Sequence, residues 1–173
     1  MFENEPPHHQ PDRPAADPVT VDAFKRAVGS FATGVTVVTA RDRHGAVHGF
    51  TANSFTSVSL DPPLVLVCLA RRAPSLRGFS IGGPFAVNIL AADQQELSGQ
   101  FARPSADKFA GVGYEPGPNG VPLLAGVHAH LECRLEHWFH GGDHVILVGY
   151  VTHAEVADNL PLLFHRSRYG QLS

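Results

Sequence analysis

The chain has 173 residues, 43% hydrophobic and 17% charged, which suits one globular domain able to bury a sizeable core. Thirteen Lys and Arg against sixteen Asp and Glu leave a formal charge of -3, so there is no basic excess to neutralise the phosphates of a nucleic acid, and binding to one is disfavoured. The longest purely apolar run, residues 64–70, falls far short of the ~20 residues of a membrane-spanning helix. Residues 1–7 carry neither the basic nor the apolar stretch of a secretory signal. No membrane association and a cytoplasmic location are therefore expected.

Residues 1–18 hold Pro6, Pro7, Pro11, Pro14 and Pro18 among His, Gln, Asp and Asn, and read as a disordered tail that precedes one domain over 19–173. His8 and His9 lie in this tail without a fixed geometry for a metal. Thr20 can cap a helix in which Phe24, Ala27, Val28 and Phe31 recur at i, i+3, i+4 and i+7, with Gly34 as its stop. From there the period becomes two. Residues 34–40 and 46–52 predict a hairpin around Asp42-Arg43-His44-Gly45. Pro62-Pro63 launches a strand over 64–69, too continuously apolar to keep a wet face.

Further on, a proline-opened short helix is expected over 74–79, a strand over 84–90, and a helix over 93–101 with Asp93 at its amino end. Residues 111–126, rich in Gly and Pro, predict a long loop. Two long strands follow, about 127–139 and 144–156, joined by a turn at His140-Gly141-Gly142-Asp143. Cys68 and Cys133 are too few for a disulfide framework or a four-thiolate zinc site, and both fall in apolar alternating stretches where buried reduced thiols are expected. The sum is a mainly β chain with helices inserted between antiparallel strands, pointing to a β-barrel with peripheral helices rather than a doubly wound sheet. Neither G-x-G-x-x-G after a strand nor G-x-x-x-x-G-K-[ST] is present.

The most unusual segment is Gly49-Phe50-Thr51-Ala52-Asn53-Ser54-Phe55-Thr56-Ser57-Val58-Ser59-Leu60-Asp61-Pro62-Pro63-Leu64. Its short hydroxyl and amide side chains and exposed backbone N–H groups can contact the edge of a flat polar heterocycle. They can equally satisfy their own backbone, and residue chemistry alone leaves both readings open. Likewise His144, at the entrance of a strand, reads alone as an edge residue.

This segment, with Gly142-Asp143-His144 and Tyr169-Gly170 following in order, resembles the short-chain flavin reductases, the flavin reductase-like family with an FMN-binding split barrel that serves as reductase component of two-component flavin-dependent monooxygenases. The resemblance runs from about Val19 to Leu172. It implies a homodimer of six-stranded antiparallel split β-barrels that binds FMN or FAD, reduces it with NADH or NADPH, and releases the dihydroflavin to a separate monooxygenase.

Carried over by position, Thr51, Ala52, Asn53 and Ser54 lie along the flavin ring and ribityl chain, with Ser57 and Ser59 as nearby hydroxyls. Leu69, Ala70 and Arg71 lead to the ribityl-phosphate end, and Ser75 opens a helix whose N–H groups favour an anion. Phe101, Arg103 and Lys108 match the positions flanking the phosphate or adenylate, although any one basic side chain reads equally as solvated. His144 is the catalytic candidate on the nicotinamide side, where a neutral imidazole could orient the carboxamide, and Tyr169 approaches the same place.

Two competing readings remain. One is a non-catalytic flavin-binding or storage module. The other is a metal site on His128, His130, His137 and His140, which lacks a completing Cys or carboxylate, so no metal is expected.

Overall fold

A computed structural model of the protein describes residues 19–105 and 107–172; the expected tail over 1–18 lies outside the described residues. Helix α1 (Val21–Gly29) begins where the sequence places it, with the Thr20 hydroxyl accepting from Ala23 N at 3.2 Å. It ends earlier than expected. Ser30, not Gly34, is the stop: its N–H reaches the carbonyls of Ala27 and Val28, and its hydroxyl donates to Ala27 O at 2.7 Å. Gly34 instead lies in the short strand β1 (Thr33–Gly34). No residue of α1 is buried, and Phe24, Val28 and Phe31 are each more than half exposed.

The expected hairpin is present as β2 (Thr36–Arg41) and β3 (Val47–Ala52), in register from Thr36 opposite Ala52 to Arg41 opposite Val47. Asp42 orders its turn, accepting from His44 N and Ala46 N through Oδ1 and meeting His48 Nε2 through Oδ2. Then come β4 (Thr56–Leu60), β5 (Pro63–Ala70), a 3-10 turn over Pro74–Gly78, β6 (Pro84–Ile89) and α2 (Gln95–Ala102). Asp93 does not cap α2, which starts two residues after it. Gln94 is the cap residue, and its side chain braces the entry by accepting from Ala91 N and donating to Ala125 O.

The loop predicted over 111–126 contains a small hairpin, β7 (Tyr114–Pro116) and β8 (Pro122–Leu124). Polar groups on the sheet beneath hold it. The Thr39 hydroxyl donates to Pro122 O at 2.6 Å, Leu124 N donates to Asn88 Oδ1 at 2.9 Å, and His130 Nε2 lies 2.9 Å from Leu124 O. The two long strands are β9 (Ala129–Gly141) and β10 (His144–Val156), so the turn shrinks to Gly142-Asp143, with Gly142 at φ +66°. A second hairpin that the sequence did not announce, β11 (Leu163–His165) and β12 (Arg168–Gly170), pairs with β1.

The main sheet is antiparallel in the order β3-β2-β6-β9-β10-β5-β4. It counts seven strands where the resemblance implies six, because β4 adds an edge, and its ladder of hydrogen bonds is open at β3 and β4. It is nonetheless strongly curled. Phe50 and Ala52 from one edge share a single core with Val65, Val67 and Leu69 of β5 near the other, and with Phe85, Leu135 and Leu147 between them. A second core of Val35, Val37, Leu90, Phe101, Leu124 and Leu162 lies on the outer side under α2. Strand β5 differs from its expectation: Val65, Val67 and Leu69 are buried, whereas Leu64, Leu66, Cys68 and Ala70 on the other face are only half-buried.

Candidate functional site

Strand β3 leaves the sheet edge at Ala52, and the chain crosses over Asn53-Ser54-Phe55 before returning as β4. The crossing is pinned by Ser54, whose hydroxyl accepts from Cys68 N at 2.9 Å and reaches Cys68 O at 3.3 Å. Thus the loop is tied to the last residues of β5, just before Leu69, Ala70 and Arg71. At that end of the sheet Ala70 lies opposite His144, the first residue of β10, and Arg71 N donates to Asp143 O at 3.0 Å. Three segments far apart in sequence, 51–54, 69–71 and 143–144, therefore meet around the end of one strand.

His144 is about half exposed and its Nδ1 lies 2.7 Å from Asp143 Oδ1. That bond and the imidazole's charge hold the Asp143 carboxyl below the ordinary carboxylate range. An ionised carboxylate can only accept, so Nδ1 carries the proton and Nε2 is left as an acceptor when the ring is neutral. Asn53 and Arg71 are exposed. The donor set is an amide, a guanidinium, backbone N–H groups and one imidazole, beside the buried side chains of Ala52 and Leu69. These residues contain neither a nucleophile–base pair nor paired carboxylates. The set fits a planar, polar-edged ring better than a scissile bond.

A second cluster lies on the other side of β3. The Thr51 hydroxyl donates to Ser98 O at 2.6 Å, and Ser98 Oγ is 2.9 Å from Tyr169 Oη. Tyr169 in turn meets Phe164 edge to face, with centroids 5.3 Å apart. It divides two surface grooves, one bordered by α2 and Arg103, the other by the β11–β12 turn.

Several other candidates are engaged in packing. Ser75 is buried, its hydroxyl donating to Gly49 O at 2.7 Å. Phe101 is fully buried, its ring against Gly49 and edge-on to Phe109 at 5.0 Å. Lys108 Nζ donates to Phe101 O at 2.8 Å, closing the carboxyl end of α2, and burial lowers its amine pKa. Ser57 and Ser59 lie on β4 opposite Val65 and Leu64. Ser59 is thus six β5 positions from Ala70, roughly 20 Å along the strand, and the fold does not bring it to His144.

Ser98 was not singled out by the sequence. A small hydroxyl on the same helical face as Phe101, fully buried among apolar neighbours, was the available signal. Among the described residues no group of three or more His, Cys, Asp or Glu could hold a metal. His128 Nδ1 contacts Asn159 O at 2.6 Å, His130 serves the β7–β8 hairpin, and His137 stacks on Phe139. Cys133 is buried, which pushes its thiol up to about 12, while Cys68 is only half-buried, against expectation.

Comparison with known proteins matches residues 28–173 to the family described as flavin reductase like domain. A probable flavin reductase of Rhizobium meliloti is 51% identical over 130 residues, 75% of this chain but 42% of that protein's length. The reductase subunit of a flavin-dependent monooxygenase from Rhodococcus jostii is 40% identical over 156 residues, covering 90% of this chain and 80% of its own. Among solved structures, an NADH:FAD oxidoreductase of Streptomyces globisporus in complex with NAD and FAD fragments superposes with a TM-score of 0.84 at 41% identity, covering 91% of this chain and 95% of that one.

Proposed function

Because the chain belongs to the flavin reductase-like family, we propose that it is an NAD(P)H-dependent flavin reductase that reduces FMN or FAD and hands the free dihydroflavin to a separate flavin-dependent monooxygenase. The observation that carries this reading is the meeting of 51–54, 69–71 and His144 at the end of β5, an arrangement with ring-edge donors on one side and an imidazole acceptor on the other.

When both cofactors are bound, the nicotinamide supplies a hydride to the flavin ring, and the protein need provide neither nucleophile nor metal. Its own residues have two tasks. Backbone N–H groups of the segment from Thr51 to Ser54 and the Asn53 amide would hold the flavin edge, with Arg71 at the end of β5, while the Ser54 hydroxyl keeps the loop on Cys68. His144 presents Nε2 as an acceptor to a carboxamide, its ring fixed by Asp143. Stacking and orientation then account for the rate.

The same reading includes a homodimer of split barrels in the cytoplasm. The face of β5 that carries Leu64, Leu66 and Cys68 is apolar yet only half-buried, and Val58, at the bulge of the neighbouring edge strand β4, is exposed. A second copy would cover this apolar face. Dimerisation would also give Ser57 and Ser59 a place beside the partner's site.

The test is steady-state oxidation of NADH and NADPH with FMN, FAD and riboflavin varied in turn. Activity that rises with added free flavin is expected. A protein inert with every combination overturns the proposal, and tight flavin retention without NAD(P)H oxidation would instead identify a storage module.

A further inference from the structure

The β11–β12 hairpin is closed by Arg166 and Ser167, both left-handed at φ +48° and +61°. Two-residue turns of this mirror-image kind are ordinarily made by Asn-Gly or Gly-Gly, because side chains rarely adopt that backbone. Here the turn carries an arginine, and it is fastened in place by Arg166 N donating to Gly29 O at 2.8 Å. Arg168 sits directly opposite His165 in the register, so two basic side chains share one face of the ladder, about 5 Å apart at Cβ. Among the described residues, neither Arg166 nor Arg168 is ion-paired with a carboxylate.

These groups border a groove of about 700 Å³ lined by Leu163, His165, Arg166, Arg168, Tyr169 and Gln171, and among the described residues no Asp or Glu contributes to its walls. In a chain whose formal charge is -3, an acid-free wall with two guanidinium groups is a local reversal of sign that concentrates anions. Guanidinium forks match phosphoryl oxygens in particular, two N–H groups to two oxygens. Its wall includes Tyr169, which the Ser98 bond ties to Thr51, next to the candidate ring site.

We infer that this groove is a phosphoryl-binding site that holds the nicotinamide cosubstrate by its pyrophosphate or, in NADPH, its 2′-phosphate. The inference rests on the flavin reductase reading for the identity of the ligand, and on the turn, the register and the acid-free wall for the site itself. Tyr169 then marks the division between the ring end and the phosphoryl end of the bound dinucleotide.

The test compares wild type with the double variant Arg166→Gly/Arg168→Gln. Glycine suits the left-handed position, so charge is removed without straining the turn. Isothermal calorimetry on flavin-free protein uses ADP-ribose and 2′-phospho-ADP-ribose, neither of which carries a nicotinamide. Wild type is expected to bind at least one of them, and the variant to bind it at least tenfold more weakly. FMN and riboflavin affinities should stay within twofold. In turnover, KM for NADH and NADPH should rise together if the pyrophosphate is held, and KM for NADPH alone if the 2′-phosphate is. Equal affinity of both proteins for the probes, or no binding by wild type, overturns the inference. So does a variant that weakens FMN but not riboflavin, which would move the anion to the flavin phosphate. If wild type reduces no flavin yet loses ADP-ribose binding on substitution, the site stands and only the reductase reading falls.

Discussion

The Ser98 hydroxyl lies 2.9 Å from the Tyr169 phenol while the carbonyl of the same residue accepts the Thr51 hydroxyl at 2.6 Å, so one buried residue of α2 clamps the candidate flavin loop to the carboxyl-terminal hairpin. Ser98→Ala and Tyr169→Phe delete the same bond from opposite ends. Each should cost about 1 kcal/mol in stability, and the double variant about the same as either single one. Denaturant unfolding of the three variants measures the coupling; strictly additive losses would mean that the hydroxyls do not interact.

Gly49 faces the clamp's apolar floor. A Cβ built there lies 2.5 Å from Phe101 Cε1 and 2.7 Å from Cδ1, and Phe101 is fully buried, so its ring has nowhere to retreat. Gly49→Ala should therefore destabilise by about 1–3 kcal/mol, as overpacking does, and displace α2 from β3. A thermal midpoint equal to wild type would show that the ring yields freely.

The hairpin before it carries a pH-dependent contact. Asp42 meets His48 at 2.9 Å and accepts two turn N–H groups, and chiefly through the His48 bond its pKa falls from 3.8 to about 2. A depressed carboxylate contributes stability that is complete above its unfolded value and is lost as pH falls through the folded one. Thermal melts should thus show a loss between about pH 4 and pH 2 that Asp42→Asn reduces. Identical acid profiles for the two proteins would refute the assignment.

Ser54 and Ser57 resemble each other in sequence but have different surroundings. Ser54→Ala leaves Cys68 N–H without its acceptor and should cost about 1–3 kcal/mol in stability besides loosening the flavin loop. Ser57 lies exposed on β4, so Ser57→Ala should leave the melt unchanged and weaken flavin by about 1 kcal/mol if its hydroxyl bonds the cofactor. Parallel melts and flavin titrations separate the two roles.

How far these contacts could be read from the sequence depends on their range. The hairpin of β2 and β3 follows from alternation and a Gly-containing turn, both local. The β7–β8 hairpin does not, because its strands have three residues each and are held by Thr39, Asn88 and His130, which lie on other strands. Arg166-Ser167 carries none of the glycine or asparagine that announces a mirror-image turn, so no local pattern signals β11 and β12. The continuous apolarity of 64–69 predicts a strand correctly and its burial only in part, since Leu64, Leu66, Cys68 and Ala70 on one face are only half-buried. In the candidate site, the hydroxyl-rich segment was visible as a composition anomaly. Its attachment to Cys68 and the approach of 143–144 arise from the pairing of β5 with β10, which no local pattern encodes.

His144 affords the sharpest test of the division between flavin and nicotinamide sides. Its backbone is fixed by pairing with Ala70 and by the Gly142-Asp143 turn, so His144→Ala removes the imidazole without disturbing the ladder. The flavin contacts proposed for Thr51 to Ser54 belong to a different segment, and flavin affinity should stay near the wild-type value. The acceptor at Nε2 is lost, however, and with it one hydrogen bond to the carboxamide. The expected cost is about 0.5–1.5 kcal/mol, or about three- to tenfold in kcat/KM for the dinucleotide. Asp143→Asn should produce a milder form of the same defect, because an amide can donate to Nδ1 and favour the tautomer that places the proton on Nε2. Stopped-flow reduction of flavin-loaded protein at several NADH concentrations reads both variants. Wild-type reduction kinetics in His144→Ala would return the residue to a purely structural place at the strand entrance.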